Sequence, residues 1–269
     1  MAFSHAASRW FRRFSTEAED GMTLLCFPHA GGAASTYFPM AKLLAPRIGV
    51  CAVQYPGRQD RRGEPPLDDL AELADRITEA FTELAPDRPL ALFGHSMGAL
   101  LAYEVARRLE TAGRLRPVRL IVSGRRAPGH AGTRPDLHDQ DDATILAELH
   151  RLRGTDAAVL ADDDLVRMLL PTLRSDYKAV ECYRAPAPGE GVLACPVSVF
   201  TGSEDTHVTR EGAEGWAAFT TGSCDVESFP GGHFFLNAHR EAMASALAAR
   251  LDGAGVGQQP GRPFSPQTL

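Results

Sequence analysis

The 269 residues suffice for one large α/β domain with an insertion or for two smaller units, and they can bury a sizeable core. Hydrophobic residues make up 44% and charged residues 23%, the balance of an ordinary soluble protein, and no apolar run reaches membrane-spanning length. A net charge of −6 offers no global basic field, which argues against nucleic acid or an anionic membrane as partner.

The stretch from Met1 to Phe14 has no apolar signal core, so a cytoplasmic location is expected. Cys26, Cys51, Cys182, Cys195 and Cys224 are scattered and form no C-x-x-C pair, which speaks for reduced thiols rather than a disulfide framework or zinc site. Lys42 and Lys178 are the only lysines. So general an arginine excess reads as the codon bias of a GC-rich gene rather than as phosphate recognition.

In chain order, Trp10 to Phe14 mix aromatics with arginines ahead of the acidic Glu17 to Asp20, and packing at an edge is their only expected role. Thr23 to Phe27 form a buried strand, followed by the loop Pro28-His29-Ala30-Gly31-Gly32, whose glycines let backbone N–H groups approach a ligand. A helix from Ser35 to Leu44, capped by Ser35, precedes a strand from Ile48 to Tyr55 and a long loop to Pro66. Leu70, Leu73, Ile77, Phe81 and Leu84 then recur at helical period within Leu67 to Leu84. Leu90 to Phe93 is a strand that runs into Gly94-His95-Ser96-Met97-Gly98, and Ala99 to Leu109 read as a buried helix. Val118 to Val122 is the next strand. Strands alternating with helices predict a mostly parallel sheet covered on both faces.

The rhythm breaks after Ser123. Between about 125 and 190 the pattern holds no strand but two helices, Asp142 to Leu152 and Asp164 to Tyr183. An insertion rising from the C-terminal edge of such a sheet is placed as a lid over the ligand crevice. Leu169, Leu170, Leu173 and Tyr177 share one helical face and can line a chamber or form the lid's own core, with core expected for at least half of them. The sheet resumes at Pro196 to Phe200 and Asp225 to Phe229, separated by a helix ending near Phe219, and a last helix runs from Phe235 to Leu251. Residues 1–251 are therefore expected to form one domain, and 252–269, rich in glycine and proline, a disordered tail.

Ser96 sits where a strand turns sharply into a helix. Gly94 and Gly98 flank it where a β-carbon would collide, and its hydroxyl stands at the positive end of a helix, a nucleophile's position. A serine needs a base and the base an orienter, in the chain order Ser, Asp or Glu, His. Among the downstream histidines His130, His138 and His150 fall in the insertion and His239 inside a helix, whereas His233 lies in the glycine turn Pro230-Gly-Gly-His-Phe-Phe235 facing the edge that holds Ser96. Asp205, in the loop after a strand, is the expected acid, with Glu204 its rival. Asp225 begins a strand at the wrong edge, and Ser123 to Pro128 contain no acid. Met97 and Ala30 are the expected oxyanion donors. No H-E-x-x-H pattern, dinucleotide fingerprint or P-loop occurs, so neither metal nor cofactor is expected.

Taken together, these residues resemble the discrete type II thioesterases of modular polyketide synthases and non-ribosomal peptide synthetases, within the α/β-hydrolase fold. The resemblance runs from Trp10 to Leu251 and also includes Tyr55-Pro-Gly-Arg58, Arg61, Glu64-Pro-Pro66, Leu170-Pro-Thr-Leu-Arg-Ser-Asp-Tyr177, Gly202 and Val208. It implies Ser96, Asp205 and His233 as triad, Ala30 and Met97 as oxyanion donors, and hydrolysis of aberrant or stalled acyl groups from the phosphopantetheine arm of an acyl or peptidyl carrier protein. A transient carrier partner and a monomeric enzyme follow as expectations. Arg58, Arg61, Arg62, Arg125 and Arg126 are expected to put positive charge near the entrance, facing an acidic carrier.

Overall fold

The computed structural model describes residues 9–14, 21–84, 88–113, 115–130, 136–155, 157–187 and 189–252. The residues expected to form a C-terminal tail, apart from Asp252, and the acidic run Glu17 to Asp20 lie outside that set. Among the described residues there are seven strands in chain order: β1 (Phe11–Arg13), β2 (Met22–Phe27), β3 (Ile48–Val53), β4 (Leu90–His95), β5 (Arg119–Ser123), β6 (Val197–Gly202) and β7 (Cys224–Phe229). They form one sheet in the order β1-β3-β2-β4-β5-β6-β7, in which only β1 runs antiparallel to its neighbour. The Trp10 to Phe14 segment thus provides an edge strand, fastened by Phe11 packing edge-on against Phe81 with ring centroids 5.5 Å apart.

Alternation explains why the inner strands read as unbroken apolar runs. Leu25, Phe27 and Leu92 point into one buried cluster with α2 (Leu70–Leu84) and α3 (Met97–Thr111), whereas Leu24, Cys26, Ala91 and Phe93 point into another with α1 (Phe38–Leu44) and the C-terminal helix. The α/β-hydrolase arrangement expected from the motifs is the one observed.

Three helix boundaries differ from the sequence reading. Ser35 is not a cap: residues Ala34–Tyr37 form a 3-10 turn without a side-chain cap, and α1 begins at Phe38 with Pro39 in its first turn. The C-terminal helix is broken at His239 into α8 (Phe235–Ala238) and α9 (Arg240–Leu251), and the helix before β7 is a short α7 (Arg210–Glu214) continued as a 3-10 turn to Phe219. The insertion holds α4 (Asp142–Leu152), a short α5 (Ala157–Leu160) absent from the periodicity reading, and α6 (Asp163–Glu181). Asp141 caps α4 by accepting the Thr144 N–H at 2.8 Å, and Asp162 caps α6. Ile145, Val166 and Leu170 form a small core inside the insertion, while Ala179 on α6 belongs to the main core.

Candidate active site

Register places the elbow. Phe27 on β2 and Val122 on β5 flank Gly94, and His95 pairs with Ser123, so β4 ends level with its neighbours and the chain turns at Ser96. Ser96 adopts φ 54° and ψ −113°, a left-handed φ that costs a non-glycine residue about 1–3 kcal/mol. Its N–H donates to the Ser123 carbonyl at 2.9 Å, and α3 starts at the next residue. The flanking glycines are sterically required: a β-carbon at Gly94 would lie 2.0 Å from the Gly98 carbonyl oxygen, and one at Gly98 would lie 1.9 Å from that of Phe27.

The expected acid and base meet. Ser203 and Glu204 donate their N–H groups to Phe229 and Gly231 carbonyls at 2.8 and 2.9 Å, which joins the loop after β6 to the glycine turn after β7. Gly202 is needed for that approach, since a β-carbon there would come within 2.4 Å of the Gly232 carbonyl oxygen. Held this way, His233 Nδ1 donates to Asp205 Oδ2 at 2.8 Å, and Asp205 Oδ1 accepts the His207 N–H at 2.9 Å. Both side chains are buried. Burial pushes the Asp205 carboxyl upward, but its bond to His233, the imidazole's charge and the His207 N–H outweigh this and hold it below the usual carboxylate range. With Nδ1 committed to the carboxylate, Nε2 is the ring nitrogen left to face the serine as a base. Glu204, by contrast, is exposed.

Ser96, Met97, Ala30 and His233 line one cavity of about 540 Å³, together with insertion residues including Glu148, Leu152, Tyr177 and Val180. Of the four residues on the helical face of α6, Tyr177 lines this cavity and Leu170 packs in the insertion core. Leu173 and Leu169 lie against Gly31. His95 is fully buried beneath the site, with Nδ1 3.0 Å from the Ser123 hydroxyl and its ring 5.0 Å from that of His233. Desolvation, aided by His233 and His29, drives its pKa well below the ordinary histidine range. His29, whose ring stands 4.8 Å from that of Phe234, is pushed down to about 3, first by desolvation.

Two polar networks at the site were not legible beforehand. Arg58 makes a bidentate pair with Asp176 of α6 at 2.7 and 2.8 Å, and the same Asp176 Oδ2 accepts the Gly31 N–H at 2.7 Å. Arg58 also donates to the Gly32 carbonyl at 3.1 Å. The Ala30 loop, the loop after β3 and the insertion helix are therefore locked by one buried ion pair. This corrects the expectation that Arg58 and Arg61 face a carrier. Arg58 is buried in that pair, and Arg61 is buried with Glu64, the Gln54 carbonyl and the face of Trp10. Arg62 is exposed, and Arg125 and Arg126 line the cavity. The signal available in sequence was that Arg58 and Asp176 both fall in stretches carrying the family resemblance, although nothing there paired them. In the second network α4 reaches the acid loop: Glu148 forms a bidentate pair with Arg151 and lies 3.1 Å from His207, while Arg151 also donates to the Thr206 hydroxyl at 3.0 Å. His138, by contrast, pairs with Glu181, and His150 is exposed. Among the described residues no group of three His, Cys, Asp or Glu is placed to hold a metal ion.

A strained serine at a strand-to-helix elbow, on the C-terminal edge of a mostly parallel sheet and sharing a cavity with a carboxylate-bound histidine, defines an α/β-hydrolase. Residues 22–251 match the thioesterase domain family, and the chain belongs to it. It is 48% identical over 246 residues to a probable cadicidin biosynthesis thioesterase of Streptomyces griseus, a match covering 91% of this chain and 66% of that relative. Thioesterase PikA5 of Streptomyces venezuelae is 44% identical, over 90% of this chain and 85% of its own length. The solved structure of BorB, the type II thioesterase from the borrelidin biosynthetic cluster, superposes with a TM-score of 0.83 at 44% identity, covering 93% of this chain and 100% of that one.

Proposed function

We propose that the protein is a type II thioesterase that removes aberrant or stalled acyl groups from the phosphopantetheine arm of carrier proteins in polyketide or non-ribosomal peptide synthesis. The observation that carries the reading is the His233–Asp205 pair on the cavity that holds Ser96. The family and the relatives' pathways supply the thioester and the carrier.

In this reading His233 Nε2 takes the Ser96 proton as Oγ attacks the thioester carbonyl. The resulting oxyanion accepts from the Ala30 and Met97 N–H groups, and the thiol leaves with the proton returned by His233. A water molecule, deprotonated by the same nitrogen, then attacks the acyl-serine, and the carboxylic acid departs as Ser96 regains its proton. Asp205 keeps Nε2 available and stabilises the imidazolium. No helix among the described residues is long and apolar enough to cross a membrane. The enzyme is taken to act as a cytoplasmic monomer that meets its carrier transiently.

The test measures acyl release from a panel of acylated carrier proteins against matched acyl-CoA and simple oxygen esters, with serine-directed fluorophosphonate labelling alongside. Carrier-bound thioesters should turn over fastest, and Ser96→Ala should lose both labelling and turnover while folding normally. Faster hydrolysis of oxygen esters would make the protein a general carboxylesterase, and an active Ser96→Ala protein would remove the serine from the chemistry.

A further inference from the structure

The loop that carries Asp205 is fastened from two directions. On the strand side the Asp205 N–H donates to the Gly202 carbonyl at 3.1 Å and the Glu204 N–H to that of Gly231 at 2.9 Å, which ties its first half to β6 and to the turn of His233. Beyond Asp205, Val208 packs in the main core. The two residues between, Thr206 and His207, are met by the insertion. Arg151 of α4 donates to the Thr206 hydroxyl at 3.0 Å, and Glu148 of the same helix lies 3.1 Å from His207 Nε2. Arg151 Nη2 rests against the same ring nitrogen, and Arg126 donates to the His207 carbonyl at 3.4 Å.

His207 bears on the chemistry through its backbone. Its N–H donates to Asp205 Oδ1 at 2.9 Å while Oδ2 accepts from His233 Nδ1 at 2.8 Å. The terminal torsion of an aspartate is broad, so a carboxylate held by one bond can turn, and the second bond sets the plane in which it meets the imidazole. The His207 ring also stands 5.1 Å from the His233 ring, tilted by 42°, so a swing of His207 changes what packs against the base. Glu148 is suited to prevent that swing. Its side chain is 10% exposed, and Arg151 holds both its oxygens, at 2.6 and 2.8 Å, which fixes the direction of the carboxylate. Desolvation outweighs the pull of Glu148 and keeps His207 below the ordinary histidine range. A neutral ring therefore stands beside His233 at neutral pH, and no second cation opposes the imidazolium that the mechanism requires.

We infer that Glu148 is a positioning residue: from the insertion, and through His207, it fixes the Asp205 carboxylate in the plane that His233 needs. The insertion then completes the triad as well as walling the chamber. The inference rests on the thioesterase reading only through the triad of Ser96, Asp205 and His233, and it requires a loss of reactivity that depends on no acyl chain and no carrier.

The experiment is a double-mutant cycle on the full chain with Glu148→Ala, His207→Ala and both together, read as the second-order rate at which a small ethyl fluorophosphonate labels Ser96. Glu148, Thr206 and His207 also line the chamber, and a probe without an acyl chain keeps substrate fit out of the reading. A misplacement of about 1 Å costs on the order of 10²-fold, so a tilted carboxylate should slow labelling about 10- to 100-fold in each single variant. Because Glu148 acts through His207, the double variant should be no slower than the slower single one. Losses that multiply overturn the route, and a wild-type rate in Glu148→Ala overturns the role. The low-field proton resonance of the His233–Asp205 hydrogen bond is a signature that a defect elsewhere in the insertion would leave in place. It should shift in both single variants, and a slowed Glu148→Ala protein with an unshifted resonance overturns the inference. Should Glu148→Ala fail to fold, Glu148→Gln replaces it under the same criteria, since it keeps the length of the side chain and loses the charge that holds Arg151. A wild-type protein that the probe does not label would remove the nucleophile, and the proposed function with it. A labelled wild type with unslowed variants would remove this inference alone.

Discussion

Replacing Asp176 by asparagine should separate stability from turnover in a way that tests how the Ala30 loop is built. The carboxylate is fully buried, holds Arg58 through two bonds and accepts the Gly31 N–H, so the neutral amide leaves a buried guanidinium without its counter-ion. Breaking a buried pair by removing one partner costs about 3–5 kcal/mol. At about 2–4 °C per kcal/mol for a domain of this size, Tm should fall by roughly 6–20 °C. Turnover should fall as well, because Ala30 precedes the residue that Asp176 anchors, and a misplacement of about 1 Å in a catalytic group costs on the order of 10²-fold. The double variant Arg58→Met with Asp176→Leu should recover much of the stability, since replacing a whole buried pair by apolar residues is often neutral or better. It should not recover turnover, because the Gly31 N–H still lacks its acceptor. Thermal unfolding and kcat on an acyl-pantetheine thioester provide both readings. An Asp176→Asn protein with wild-type kcat, or a double variant that regains kcat together with Tm, would refute the argument that this ion pair positions the loop.

Asp205→Asn should lower kcat on the order of 10⁴-fold by removing the carboxylate that fixes the His233 tautomer, while exposed Glu204→Gln should change it little; a severe Glu204 effect would transfer the acid role to that residue. The fully buried His95 should make the fold acid-sensitive. Because its folded pKa lies well below the ordinary value near 6.5, the unfolded chain binds a proton that the native state refuses, and stability is lost as pH falls below about 6.5 by up to ~1.4 kcal/mol per pH unit. Urea unfolding at pH 7, 6 and 5 should show a shallower decline in His95→Gln than in wild type, and parallel declines would mean that other groups carry the effect.

The elbow was legible because its constraint is local. Glycine on both sides of a serine, between an apolar run and a helix, leaves few backbones to choose from, and the glycine turn around His233 is similarly self-contained. Asp205 and Glu204 share the loop that opens onto the edge after β6, and the family resemblance, which includes Gly202 and Val208, implies Asp205; the structure buries Asp205 and exposes Glu204. The functions of Arg58 and Asp176 were not legible, because 118 residues separate two side chains whose meaning depends on meeting. Arginines in a loop after a strand read as solvated charge until a carboxylate from a distant helix is seen to bury one of them. Ser35 failed as a cap for the opposite reason: the short Ala34–Tyr37 turn follows from burial of Ala34 and Tyr37 against the sheet, a tertiary demand that overrides cap chemistry.

The two polar networks also divide the insertion energetically. At the middle of α6, Asp176 is locked to Arg58 and Gly31, Thr172 donates to the Gly57 carbonyl at 2.9 Å, and Ala179 packs in the main core. Moving that helix as a body would break a buried ion pair, at about 3–5 kcal/mol, and disturb the Ala30 loop as it did so. On the other side α4 reaches the acid loop through Arg151, which is 38% exposed and donates to the Thr206 hydroxyl, and through Glu148, which lies 3.1 Å from His207. Contacts of this partly solvated kind contribute roughly 0–1 kcal/mol each. α6 is thus the anchored wall of the chamber beside the Ala30 loop, and α4 is joined to it by the small core of Ile145, Val166 and Leu170 and by Arg174, which donates to Asp142 at 2.7 Å.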